Sequence, residues 1–296
     1  MPKKIRCLSS ILFSGMFVAA VLASPMITSQ SSAENILTSQ EKAQGWILLF
    51  DGKTFAGWRG LGYDRVPAEH WIIENGAVKK VPSKDVPLQK DGQPLFGGDL
   101  MTMEEFENFE LAFDWKIGPG GNSGVKYNVS EEMSTAAGAP GLAGGSTSAV
   151  LAREYKPRAS GEPKARPLTA NPASHAALGF EYQVLDDEKH PDAKNGPNRT
   201  AGALYDLIGP GNKTLKPVGE YNTAKIVLIG KHGEHWLNGV KILEFDLDTP
   251  AFGQLFAKSK YKDIPGFAEK RKGHIVLQDH TDAVWYRNIK IRILKK

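Results

Sequence analysis

From residue 46 onward the chain is built of short runs in which apolar and polar residues alternate, each closed off by turn chemistry. The runs cover 46–50, 71–74, 77–80, 109–117, 124–129, 179–185, 202–207, 222–229, 232–237, 240–245, 273–279 and 284–294. Asn75-Gly76 and Asn238-Gly239 separate paired runs, and both positions of such a turn accept positive φ, the signature of a two-residue hairpin. Gly118-Pro-Gly-Gly-Asn122 is a longer link between two strands. Helical periodicity is scarce. It amounts to a turn or two at 38–45, with Ser39 as cap, and a short helix near 252–257. Many strands with little helix are accommodated by two packed antiparallel sheets, an all-β architecture.

The N-terminus reads as a targeting segment. Lys3, Lys4 and Arg6 form a cationic start, and 11–22 is an apolar run too short to span a membrane with ease. Val21-Leu22-Ala23 supplies a cleavage site, so 1–23 is a signal peptide and the protein is expected to be exported, periplasmic or extracellular. Residues 24–44 are a polar leader, and 45–296 form one domain. The only cysteine, Cys7, leaves with the signal, so the mature core is held without disulfides. Of the +4 formal charge, three units belong to the signal, which leaves 34 basic against 33 acidic residues. No basic stripe remains, so nucleic acid is excluded as a partner, and no second apolar stretch approaches membrane length. Segment 130–177 breaks the strand rhythm. It is rich in Ala, Gly, Ser and Pro and is read as a mobile insertion, with a short helix near 147–154.

The run Gly179-Phe-Glu-Tyr-Gln-Val-Leu-Asp-Asp187 places Phe180, Tyr182 and Val184 on one face and Glu181 and Gln183 on the other. In 273–280, Ile275 and Leu277 mark the apolar face, so Gln278 and His280 project opposite. An imidazole there can move protons near neutral pH. In Asn122-Ser-Gly-Val-Lys-Tyr127, Lys126 faces away from Val125 and Tyr127, and Asn122 offers donor and acceptor. Glu181 and His280 are therefore the catalytic candidates. Asn122, Lys126, Gln183, Arg199, Tyr205 and Gln278 are the candidate substrate-binding residues, with Arg199 and Tyr205 expected to line the site from the next strand. Asp186, Asp187 and His190 carry ligand atoms a divalent metal accepts, but no metal-site spacing accompanies them, so a metal is a cofactor the sequence leaves open. Trp58, Trp71, Trp115, Trp236 and Trp285 offer flat faces for a sugar. Trp71 and Trp236 are the better candidates for exposure. Alternation does not choose a face for His235.

These motifs, in this order, resemble the 3-keto-disaccharide hydrolase family. The resemblance runs from Gly45-Trp-Ile-Leu-Leu-Phe-Asp-Gly through Phe109-Glu-Leu-Ala-Phe-Asp-Trp-Lys, Gly121-Asn-Ser-Gly-Val-Lys-Tyr, the 179–187 strand, Glu220-Tyr-Asn and His235-Trp-Leu-Asn-Gly. It closes with Gly273-His-Ile-Val-Leu-Gln-Asp-His and Arg287-Asn-Ile-Lys-Ile. It implies a concanavalin A-like jelly-roll sandwich, a small carbohydrate as partner, and cleavage of glycosidic bonds in sugars oxidised at C3. The 130–177 segment is longer than the family's usual connection. Glu181-x-Gln183-x-x-Asp186 is also similar to the Glu-x-Asp-x-x-Glu strand of the sandwich-fold β-glucanases. Here Gln replaces the central carboxylate that paired-carboxylate hydrolysis needs. A lone Glu with a neutral amide beside it suits an oriented general base. The alternative is a non-catalytic lectin-like domain on the same fold. In an enzyme Glu181 and His280 share one pocket, whereas in a binder they need not.

Overall fold

A computed structural model describes residues 34–90, 95, 97–135, 177–267 and 269–295. The signal segment, most of 130–177 and the helix expected at 147–154 lie outside the described residues. The strands are β1 (Trp46–Leu48), β2 (Trp58–Gly60), β3 (Trp71–Glu74), β4 (Ala77–Lys80), β5 (Leu100–Thr102), β6 (Phe109–Ile117) and β7 (Asn122–Val129). They continue with β8 (Phe180–Leu185), β9 (Asn222–Ile229), β10 (His232–Leu237), β11 (Val240–Asp246), β12 (His274–Leu277) and β13 (Val284–Ile293). Among the described residues three short α-helices accompany them: α1 (Ser39–Ala43), α2 (Glu131–Thr135) and α3 (Pro250–Phe256).

The protein is an all-β jelly-roll sandwich. One sheet runs β11-β10-β9-β6-β13-β4-β3, with β1 added to β13, and the other runs β2-β5-β12-β7-β8. The strand pairs are antiparallel. The Asn75-Gly76 and Asn238-Gly239 turns have positive φ at both residues, as the dipeptides require. Between the sheets, Tyr127 and Phe180 from one layer meet Phe109 and Phe245 from the other, and Phe113 lies edge-on to Tyr182. This inner layer fixes which residues face out. With Tyr127, Tyr182 and Leu277 buried between the sheets, Lys126, Glu181, Gln183 and Gln278 must stand on the outer face of the five-stranded sheet.

Several local expectations are corrected. Residues 202–207 form tight turns, not a strand. They still pair with the free edge of β8, through Gly202 N–H to Gln183 O at 2.8 Å and Tyr205 N–H to Glu181 O at 3.0 Å, and so cover an edge that would otherwise be exposed. Thr38, not Ser39, caps α1. Its hydroxyl accepts from Glu41 N–H while Glu41 accepts from Thr38 N–H, a reciprocal pair that consumes two free donors. The end of the polar leader is bound as well: Asn35 and Asn288 exchange backbone and side-chain hydrogen bonds at 2.6 and 2.9 Å. Trp71 is fully buried, its indole N–H donating to Gly98 O, because β3 packs its side chain inward. The strands β2 and β5 have only three residues each, too few for alternation to reveal.

Candidate functional site

The outer face of β8-β7-β12 is a grid whose rows follow from register. Glu181 lies opposite Lys126, which lies opposite Val276. In the next row Gln183 lies opposite Gly124, whose carbonyl accepts from Gln278 N–H at 2.9 Å. In the third, Asn122 Nδ2 is 3.5 Å from His280 Nε2. The four residues expected to converge from strands a hundred positions apart are thus on one face, as are Asn122 and Lys126. Glu181 and Gln183 lie opposite the apolar face, as alternation requires, but that face is not open to solvent. Every residue of β8 is buried, because segments from elsewhere in the chain fold over this face.

Glu181 is 3% exposed, and its Oε2 is 3.7 Å from Lys126 Nζ. Lys126 also donates to Ala177 O at 3.1 Å. The amide of Gln183 is satisfied when its nitrogen faces Glu181. It then donates to Glu181 Oε1 at 3.3 Å and to Ser123 O at 2.9 Å, so Gln183 orients the carboxylate. Gly124 forms the floor. A Cβ there would run into the Glu181 carboxylate, so the missing side chain leaves room for that group. Gln278 Oε1 is buried with no hydrogen-bond partner among the described residues, an acceptor in want of a donor. His280 is half-exposed, and burial lowers its pKa, opposed by the Asp282 carboxylate and reinforced by His190, so it is largely neutral at pH 7.

Arg199 and Tyr205 build a wall instead of reaching in from a strand. Arg199 donates to Tyr205 Oη at 2.7 Å and to Asp206 Oδ1 at 2.6 Å, and Tyr205 donates to Asp192 Oδ2 at 3.0 Å. With its guanidinium committed, Arg199 is a support. Burial and the nearby Glu181 charge push the Tyr205 pKa up, which keeps the phenol protonated.

The weak metal candidates do not converge. Asp186 Oδ2 accepts from Gly120 N–H at 2.7 Å and Oδ1 from Glu188 N–H at 3.1 Å, so this carboxylate closes a turn. Asp187 accepts from Ala201 N–H and pairs with Lys213 at 2.7 Å. His190 Nδ1 accepts from Asp192 N–H at 3.1 Å and caps the turn Pro191–Asn195. Among the described residues, His232, Glu234 and Glu244 do bring ligand atoms together, on the outer face of the opposite sheet. There Lys241 already pairs with both glutamates. His235 faces inward. It is fully buried, with Nδ1 at 3.0 Å from Gly202 O and Nε2 at 2.9 Å from Tyr127 Oη. Burial pulls its pKa down to about 4, so it is a neutral core residue. Trp236 is half-buried on the far sheet under Lys225, away from this face.

Two groups escaped sequence reading. Asp99, just before β5, lies on the same outer face. Its oxygens accept from Asp279 N–H at 2.8 Å and Ala177 N–H at 3.2 Å. Burial raises its pKa to about 6, against the pull of Lys126. Lys260, between α3 and β12, places its ammonium 4.1 Å from the Tyr205 ring centroid. Asp99 precedes a strand too short to recognise, and Lys260 sits in an irregular stretch, so neither carried a local signal.

Known proteins share this arrangement of sheets and strands. The profile of the 3-keto-alpha-glucoside-1,2-lyase-like domain matches residues 45–292. A 3-keto-disaccharide hydrolase from Bacteroides thetaiotaomicron is 37% identical over 264 residues, which cover 85% of this chain and 79% of that protein. Among solved structures, a candidate glycosyl hydrolase from Parabacteroides distasonis superposes with a TM-score of 0.64 at 26% identity, covering 89% of this chain and 100% of that one. A second from the same organism gives 0.52 at 25% identity, covering 84% and 99%. With a profile match along nearly the whole folded domain and a relative aligned over most of both chains, the chain belongs to the 3-keto-alpha-glucoside-1,2-lyase-like family and is an enzyme of the hydrolase/lyase type.

Proposed function

We propose that the protein is exported and cleaves glycosidic bonds of 3-keto-glycosides, including 3-keto-disaccharides, by removing the C2 proton, eliminating the C1 substituent and adding water. The observation that carries this reading is the single oriented carboxylate of Glu181 beside Lys126, with a neutral amide where a second carboxylate would stand. Paired-carboxylate hydrolysis needs two carboxyl groups about 5–10 Å apart. Asp99 is a further carboxyl of this face, but β5 and β8 are three strand spacings apart, about 14 Å of backbone. Backbone amides hold both Asp99 oxygens.

A ketone at C3 removes the need for such a pair. It acidifies the C2 proton, so one base and one stabiliser of the enolate oxygen suffice. Glu181 takes the proton, held in place by Gln183. Lys126 supplies positive charge beside it. The free Gln278 Oε1 accepts a sugar hydroxyl, and Asn122 marks the far end of the face. There His280, neutral at pH 7, is suited to take a proton from the incoming water. The shared face of Glu181 and His280 favours this reading over a lectin-like binder, which needs no base. The name of the Bacteroides relative supports the substrate class. The charged, then apolar, N-terminal segment supports export.

Glu181→Gln tests the assignment. It keeps the shape and removes the base, and turnover of a 3-keto-glycoside should fall by about two orders of magnitude or more. Breaking a buried pair also costs stability, on the order of 3–5 kcal/mol, so rates are compared on protein shown to be folded. A fully active Glu181→Gln variant would assign the base elsewhere, with His280 the first alternative.

A further inference from the structure

Lys260 is held beside the site by two contacts of its own. Its backbone N–H donates to Asp206 Oδ2 at 2.6 Å, which ties it to the Arg199–Tyr205–Asp206 wall. Its ammonium rests 4.1 Å from the Tyr205 ring centroid and 5.1 Å from that of Tyr261, a geometry in which aromatic faces attract a cation. Among the described residues no carboxylate lies within ion-pair distance of it. Lys126, by contrast, is engaged by both Ala177 O and Glu181. Tyr205, on whose ring the ammonium rests, donates its backbone N–H to Glu181 O at 3.0 Å, so the cation stands beside the strand that carries Glu181. A half-buried ammonium beside the Glu181 strand, with no anion of its own among the described residues, is a site for an anion that forms there.

We propose that Lys260 is a further catalytic residue, whose ammonium binds the negative charge that develops on the C3 oxygen of the substrate. The proposal rests on the 3-keto reading above. In that step the C2–H bond breaks and its proton goes to the Glu181 carboxylate. The C–H electron pair becomes the C2–C3 double bond, and the carbonyl pair moves onto the C3 oxygen, next to Lys260. When the C1–O bond breaks, the C3 ketone re-forms, the C2–C3 pair becomes the C1–C2 double bond to which water then adds, and the leaving oxygen departs with the proton that Glu181 took up. No oxidant or reductant is consumed. The ground-state ketone is neutral, so the ion pair exists only as the enolate forms. Binding energy of that kind raises turnover more than affinity. Burial first, and Lys126 second, lower the Lys260 pKa, to about 8, with Glu181 and Asp206 opposing. The protonated form therefore predominates at neutral pH and is lost as pH rises through 8.

The test compares the wild type, Lys260→Met and Lys260→Arg in release of aglycone from a 3-keto-glycoside, from about pH 6 to pH 10. Lys260→Met should lose about 100-fold or more in kcat with KM changed only several-fold. Lys260→Arg keeps a charge that does not titrate. It should recover part of the rate and abolish the alkaline limb near pH 8, which a merely structural lysine would not do. Near-wild-type kcat in folded Lys260→Met, or an alkaline limb unmoved in Lys260→Arg, overturns the proposal while leaving the function intact. A wild type that releases no aglycone at any pH removes the reaction itself and the proposal with it.

Discussion

At the scale of single residues, the site depends on what is missing as much as on what is present. Gly124 gives Glu181 its space, and a methyl group there would meet the carboxylate directly. Gly124→Ala should therefore displace the proposed base by a fraction of an ångström to an ångström. Misplacement of that size costs up to about 100-fold in turnover. The check is kcat of the folded variant; an unchanged kcat would mean the base is not at Glu181. Alternation put Glu181, Gln183, Gln278, Lys126, Asn122 and His280 on the face opposite the apolar residues of their runs, and the structure gathers them on one face. The sequence hid Asp99 and Lys260, whose positions depend on tertiary contacts. It also over-read Asp186, Asp187 and His190: carboxylates at the end of a strand are as useful for closing turns as for holding ions, and here they close turns.

At the scale of elements, β7 and β8 carry the core on one side and the candidate site residues on the other, so the two are mechanically joined. His235 on β10 completes the core side, bridging Tyr127 and Gly202 as a neutral imidazole. Its folded pKa of about 4 lies below the ordinary 6.5, so the unfolded chain binds the extra proton first. Its contribution to stability is whole above pH 6.5 and is lost as pH falls toward 4, by up to about 3 kcal/mol. Asp99 acts with the opposite sign. Its pKa, raised to about 6, makes the folded state relatively more stable as acid protonates it. Comparing wild type with His235→Gln cancels the Asp99 effect. In urea unfolding, the wild type should lose stability relative to the variant between pH 7 and pH 4, and a constant difference would contradict the buried neutral assignment. The hairpins were legible because Asn-Gly fixes positive φ locally. The turns at 202–207 were not, since Leu204 and Tyr205 alternate like a strand, yet their partners are the edge of β8 and, for Leu204, Ile208 at the end of the same turn.

At the scale of the whole molecule, the two-sheet architecture was readable from periodicity and turns, and the family from the order of its motifs. What covers the outer face was not, because Ala177, Tyr205 and Lys260 reach it from irregular segments whose contacts no periodicity encodes. The proposal of export has a direct check. The mature protein recovered from the periplasm or medium should begin near Ser24, and N-terminal sequencing that finds Met1 there would refute the processing. The central claim is that a C3 ketone lets one oriented carboxylate do the work of two. The measurement is aglycone release by the purified protein from a 3-keto-glycoside and from the matching unoxidised glycoside, side by side. The account predicts rapid release from the oxidised sugar and none above background from the other; equal release from both would contradict it.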